Sequence, residues 1–142
     1  MQQSAASNAA ALAVAGVSHR FGSVEALRDV SLTVPRGSFC ALLGVNGAGK
    51  STLFSLITRL YDSTSGRIEV AGYDARRASR QALARIGVVF QSRALDGDLT
   101  LTQNLAYHAA LHGVARARAR TRAAELVAEV GLEDKLDARV AT

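Results

Sequence analysis

Three observations predict an α/β fold built around a phosphate-binding loop. Short apolar stretches rich in strand-forming residues crowd the first 43 positions, and a Gly-x-x-x-x-Gly-Lys-Ser run links the last of them to an amphipathic segment. From Thr102 onward the apolar spacing is helical. The 142 residues amount to about one domain on a scale of ~100–200 residues, so a multi-domain enzyme is excluded by length. With 49% hydrophobic and 20% charged residues, the composition is that of a globular chain and argues against disorder.

Residues 1–10 are small and polar and are expected to be a flexible N-terminus. Residues 11–17, 26–34 and 38–43 read as three strands, the last two separated by a Pro35-Arg36-Gly37 turn. Residues 50–60 place Leu53, Leu56, Ile57 and Leu60 at helical spacing. A turn over 63–66 leads into a short strand at 67–70 that Gly72 ends, followed by helical composition over 76–85. Residues 86–90 (IGVVF) suit a buried strand, and Cys40, on the strand before the phosphate loop, reads as a small buried residue. Helices are expected at about 102–112 and 116–130, stopped by Gly113 and Gly131. Composition shifts near Arg93, giving a β/phosphate-loop part at 11–92 and a helical part at 93–142.

The balance of 17 Lys+Arg against 12 Asp+Glu gives +5, but nearly all of the excess is arginine. Widespread Arg and Ala is a compositional habit that says little about partners, and no nucleic-acid motif accompanies it. Only Lys50 and Lys135 are lysines, so the position of Lys50 stands out. No apolar run approaches the ~18–20 residues of a membrane span, the N-terminus lacks the basic start of a signal peptide, and a single cysteine cannot form an internal disulfide. A cytoplasmic chain is expected.

Gly44-Val45-Asn46-Gly47-Ala48-Gly49-Lys50-Ser51 matches the phosphate-loop pattern in full and is followed by Thr52. Gly44, Gly47 and Gly49 are expected to admit positive φ and close approach of phosphate. Successive amides can then form an anion nest at the positive end of a helix. Lys50 supplies a point charge for the β- and γ-phosphates, Ser51 a hard oxygen ligand for Mg²⁺, and Thr52 a further hydroxyl near the α-phosphate. A strand before the loop and a helix after it are the context this motif requires, which separates it from an ordinary Gly-rich turn. By itself the motif leaves kinases, GTPases and many ATPases open.

Residues 17–34 (VSHRFGSVEALRDVSLTV), the loop GVNGAGKST and residues 87–91 (GVVFQ) together resemble the nucleotide-binding subunit of ABC transporters. The likeness runs from about residue 14 onward, and residues 92–113 are closest in style to ATPase subunits of ABC-2-type drug exporters. It implies an ABC-type P-loop NTPase fold, incomplete here: an antiparallel β part, a partial RecA-like core and the start of a helical subdomain. It places Phe21 on the aromatic position that stacks on adenine, where tyrosine is more usual; phenylalanine keeps the π-face. Gln91 falls on the glutamine that contacts Mg²⁺ and the attacking water and relays nucleotide state to the membrane partner. The ATP-binding set is then Phe21, Gly44, Asn46, Gly47, Ala48, Gly49, Lys50, Ser51 and Thr52, with Ser51 and Gln91 on the metal and Lys50 and Gln91 nearest the chemistry. Ser63 stands where a proline is common, which affects a turn only.

The resemblance further implies an integral membrane permease and a second ATP-binding subunit as partners, at the inner face of the plasma membrane. No nucleic-acid partner is expected. After Gln91 these residues contain no serine-glycine signature loop, no apolar strand ending in Asp-Glu and no later switch histidine. ATP binding with negligible hydrolysis is therefore expected of them, since no general base is in sight. Two other classes fit the same residues: a soluble ABC-type ATPase acting on nucleic acid or the ribosome, and a truncated product without activity. His108 and His112 have i, i+4 spacing but no third ligand, so they read as surface or packing histidines. Arg116 and Arg120 share one side of the expected helix with Arg118 and Arg122 nearly opposite, two short basic stripes that read as a solvated helix, with contact to lipid headgroups or a transporter loop as the alternative.

Overall fold

Two long strands, β1 (Ala10–Phe21) and β2 (Val24–Pro35), pair antiparallel across the Gly22-Ser23 turn. They begin earlier or end later than the apolar pattern predicts, because ladder pairing carries polar residues such as Arg20 and Glu25 along with it. The helix α1 (Lys50–Ile57) follows, then β3 (Ser65–Val70), the two-residue β4 (Tyr73–Asp74) and a short helix α2 (Ser79–Leu83). The sheet order is β2-β1-β3-β4 with every pairing antiparallel. This computed structural model describes residues 10–90 and 94–141 and divides into two units, Met1–Val88 and Val89–Thr142.

One face of the first unit's sheet carries Val14, Val17, Leu27 and Ile68, and α1 lays Leu53 and Leu56 against it with Ile57 alongside. The helical spacing of those residues in the sequence thus becomes the core. Val14 and Val17 are three residues apart, which strict alternation would put on opposite faces. The β1–β2 register shifts between them. Gly16 takes φ +59 there and donates its amide to Ser31 Oγ at 2.9 Å; across the ladder Asp29 takes φ +48 and donates to Ser18 Oγ at 2.9 Å. This bulge resets the parity of β1, so that Val17, His19 and Phe21 follow one another on the α1 side. The sheet is also tight where β3 leaves β1: a Cβ on Gly66 (φ +82) would lie 2.4 Å from Gly16 O.

Asp74 ties β4 to the next turn, accepting the Arg76 and Arg77 amides at 2.9 Å each and pairing with Arg67 Nε at 3.0 Å. The Arg77 amide is the largest cause holding this carboxyl below its ordinary value; burial, next in size, opposes it, and the Arg76 amide and the Arg67 charge add to the lowering. A depressed folded value stabilises the fold above the unfolded value of about 3.9, and the contribution disappears as pH falls through the folded value. Asp74→Asn should therefore melt lower than the parent at neutral pH, with the two melting curves converging below about pH 4. Equal separation at every pH would refute this.

In the second unit, α3 (Leu101–Leu111) opens with a capping box in which Thr100 and Gln103 each bond the other's backbone amide. α4 (Arg116–Glu129) and a 3-10 turn (Glu133–Lys135) follow, matching the predicted helices to within a residue or two. Residues 136–141 then fold back on the start of α3: Thr100 bridges Arg139, and the Val140 and Ala141 amides donate to Leu99 O and Gly97 O at 3.1 Å. Leu95, Leu101, Leu132, Lys135, Ala138 and Val140 border a recess of about 330 Å³ there.

The predicted strands at 38–43 and 86–90 are not observed. No ladder pairs either segment among the described residues, and their apolar side chains face outward, with Phe39 95% and Val89 97% exposed. The runs have strand composition, but a strand is a relation to a neighbour, and here none is hydrogen-bonded to them. Cys40, expected to be buried on the first of these strands, is exposed for the same reason. The helix read over 76–85 contracts to Ser79–Leu83, its first residues being occupied by the turn on Asp74.

Candidate functional site

The loop between residue 44 and the start of α1 takes its shape from two left-handed glycines. Gly47 and Gly49 both have φ +83; Gly44 does not have positive φ, and a Cβ there would only touch Ala48 Cβ at 3.4 Å, so the expectation of three permissive glycines reduces to two. Ala48 donates to Val45 O at 3.2 Å, closing the turn. Gly49 is the N-cap of α1, and the helical ladder starts with the Leu53 amide on Gly49 O at 2.9 Å. Helix amides ahead of Leu53 lie outside that ladder and point along the positive end of the helix dipole. No acidic side chain occupies the first turn of α1 to neutralise it.

Lys50 curls back over the loop, and its ammonium donates to Gly44 O and Val45 O at 2.7 Å each. The charge is thus pinned across the loop it would serve, held by two neutral acceptors that a phosphate oxygen can replace with a stronger, charge-assisted one. Ser51 is exposed and Thr52 half-buried on the first turn. Asn46 and Ala48 are exposed within the loop. Gln91 lies outside the described residues.

Gly49 anchors the loop to the sheet. A Cβ at this position would meet Ala26 O and Leu27 Cδ2, both at 2.6 Å. Leu27 pairs across the ladder with His19, and Phe21 follows His19 at the alternate position on the same face. The loop end and the Phe21 ring are thereby attached to one pair of strands. Phe21 is 45% exposed and stands edge-to-face against His19 (centroids 4.6 Å apart, 79°) and against Tyr61 (5.4 Å, 82°). Such T-shaped contacts hold the ring while nearly half of it stays exposed.

His19 and Tyr61 were not legible as site residues. The H-x-F spacing puts His19 and Phe21 on one strand face, but nothing local links Tyr61 to them; it arrives through α1. His19 is 9% exposed, and neither ring nitrogen has a hydrogen-bond partner among the described residues, so it serves as an aromatic wall. Among the described residues no group of three or more His, Cys, Asp or Glu side chains could hold a metal; His108 is half-buried and His112 exposed. No helix among them is long and apolar enough to cross a membrane.

A family model described as ABC transporter matches residues 27–142. The sulfate/thiosulfate import ATP-binding protein CysA of Synechococcus elongatus is 48% identical over 99 residues, covering 70% of this chain and 28% of that protein. The daunorubicin resistance ATP-binding protein DrrA3 of Streptomyces coeruleorubidus is 42% identical over 95 residues, covering 67% of this chain and 30% of its own length. Among solved structures, one described as the ATP binding subunit of an ABC transporter matches with TM-score 0.80 at 30% identity, over 90% of this chain and 53% of that one. CbiO1 from Clostridium perfringens, described as part of the ABC transporter complex cbiONQ, matches with TM-score 0.77 at 26% identity, over 92% and 54%. The chain thus spans about half of these solved structures and under a third of these curated relatives.

Proposed function

Because the chain belongs to the ABC transporter family and its fold is a partial P-loop NTPase, we propose that these residues bind Mg-ATP for an energy-coupling subunit of a transporter. The observation that carries this reading is the loop itself: two left-handed glycines deliver backbone amides and the Lys50 ammonium to one helix N-terminus whose first turn holds no acidic residue. The arrangement suits a polyphosphate and disfavours a cation alone.

In this reading Gly44, Asn46, Gly47, Ala48 and Gly49 supply the backbone cradle. Lys50 trades its two carbonyl partners for β- and γ-phosphate oxygens, Ser51 offers its hydroxyl to Mg²⁺, and Thr52 lies near the α-phosphate. Phe21 presents its exposed part to adenine, held by its T-shaped contacts with His19 and Tyr61. Gln91 is assigned to the metal and the attacking water on the family likeness alone. Mg²⁺, when bound, offsets the charge of the β- and γ-phosphates. A general base is not among these 142 residues, so binding without appreciable turnover is the expected behaviour of this segment. A separate membrane permease and a second ATP-binding subunit complete the proposed assembly at the inner face of the membrane; its cargo is read by the permease.

The test is equilibrium binding of Mg-ATP to the chain and to Lys50→Ala. Loss of charged hydrogen bonds worth ~1.5–3 kcal/mol should weaken affinity by roughly 10- to 100-fold. Unchanged affinity would remove the phosphate-loop assignment. Turnover abolished by the same substitution would remove the statement about hydrolysis while leaving binding intact.

A further inference from the structure

The second unit carries a one-signed surface that nucleotide binding does not use. Residues 99–124 contain no aspartate or glutamate, yet hold Arg116, Arg118, Arg120 and Arg122. Several arginines pair with carboxylates: Arg20 and Arg28 with Glu25, Arg59 with Asp62, Arg67 with Glu69 and Asp74, and Arg122 with Glu125 and Glu129. Arg116, Arg118 and Arg120 are exposed and meet no carboxylate among the described residues. Composition explains why they are arginines but not why three of them gather, without a carboxylate, at one helix tip.

Their position makes the mismatch sharper. All three fall in the first turn and a half of α4, at the positive end of its dipole, with no acidic residue in the first turn and no side-chain cap. Cations there oppose the dipole, so helix stability does not account for them. Arg118 lies across the helix from Arg116 and Arg120, but helical side chains lean toward the N-terminus. With three sites spread over only about 6 Å of axis, all can reach past the helix tip. The connection from α3 meets α4 at that tip, where Leu111 is 64% exposed, Tyr107 on the preceding turn 56%, and Val114 also exposed. A cationic tip with aliphatic and aromatic side chains beside it fits a headgroup layer, which offers phosphates at the surface and hydrocarbon just beneath.

We propose that the α3–α4 tip docks on an anionic lipid surface through Arg116, Arg118 and Arg120, with Leu111 and Val114 entering the headgroup boundary. This goes beyond the nucleotide reading and does not depend on it. The test uses the whole chain with vesicles of phosphatidylcholine alone or mixed with phosphatidylglycerol, and neither ATP nor permease. Binding should require phosphatidylglycerol and fade as salt rises. Replacing all three arginines by alanine should weaken it roughly 100-fold, at about fivefold per arginine lost near an anionic surface. Alanine favours helix and relieves the clash with the dipole, so circular dichroism should show α4 intact. The triple lysine variant should retain most of the binding, and Leu111→Ser should weaken it severalfold. Retained binding in the triple alanine variant would overturn the proposal. So would indifference to Leu111→Ser combined with equal capture by RNA or polyglutamate, which would make the tip a general polyanion site.

Discussion

Gly49→Ala should disable nucleotide binding more completely than any change to a loop side chain. Two independent effects converge at this residue. Its φ of +83 is a conformation that costs an L-residue about 1–2 kcal/mol. The added Cβ would also lie 2.6 Å from Ala26 O, a backbone atom of β2, and 2.6 Å from Leu27 Cδ2. Leu27 can rotate away, but Ala26 O is main chain held between the ladder residues Glu25 and Leu27 and can shift only with that part of β2. The loop must therefore lift from the sheet, taking Lys50 and the first amides of α1 with it. A combined cost of roughly 3 kcal/mol or more is expected, seen as a lowered unfolding midpoint and at least a 100-fold loss of Mg-ATP affinity. Gly47→Ala is the control: it shares the φ of +83, but its Cβ would meet nothing within 4 Å. It should pay only the backbone strain, and equal effects at the two positions would show that the wall behind Gly49 is irrelevant.

That contrast marks how far the loop could be read from its residues. The pattern located it, and the helical spacing of Leu53, Leu56 and Ile57 correctly set the buried side of α1. Which glycine faces a wall depends on a strand more than twenty positions earlier, and no local signal carries that. Phe21 is a similar case. Its assignment came from family likeness; alternation counted from Val14 would put it on the wrong face. Only the bulge at Gly16, supported by Ser31 and Ser18, brings it to the α1 side. The segments at 38–43 and 86–90 failed in the opposite direction, since their strand composition was real but no ladder partner is present among the described residues.

Asn104 carries the other large expected effect, and its sequence gave no hint of it, being one polar residue within a helical pattern. It is among the most deeply buried side chains of the described residues. Its Oδ1 accepts the Asp96 amide at 2.9 Å, and its Nδ2 donates to Asp96 O at 2.9 Å and Thr100 O at 3.1 Å. One amide side chain thus closes the loop ahead of α3, which in turn receives residues 136–141 through Leu99 O and Gly97 O. Asn104→Ala would take the side-chain partner from both the Asp96 amide and the Asp96 carbonyl, while Thr100 O keeps the Asn104 backbone amide. At ~1–3 kcal/mol for each unsatisfied group, partly relieved by relaxation, a loss near 3 kcal/mol is expected. Asn104→Asp keeps the acceptor for the Asp96 amide but loses both donor bonds and buries a charge, so it should be at least as harmful at neutral pH. Hydrogen exchange should show faster exchange at the amides of Asp96, Val140 and Ala141, with β1 and β2 unchanged. Protection lost evenly across both units would mean that Asn104 supports the whole chain; retained protection at Asp96 would mean that the side chain is not the clamp.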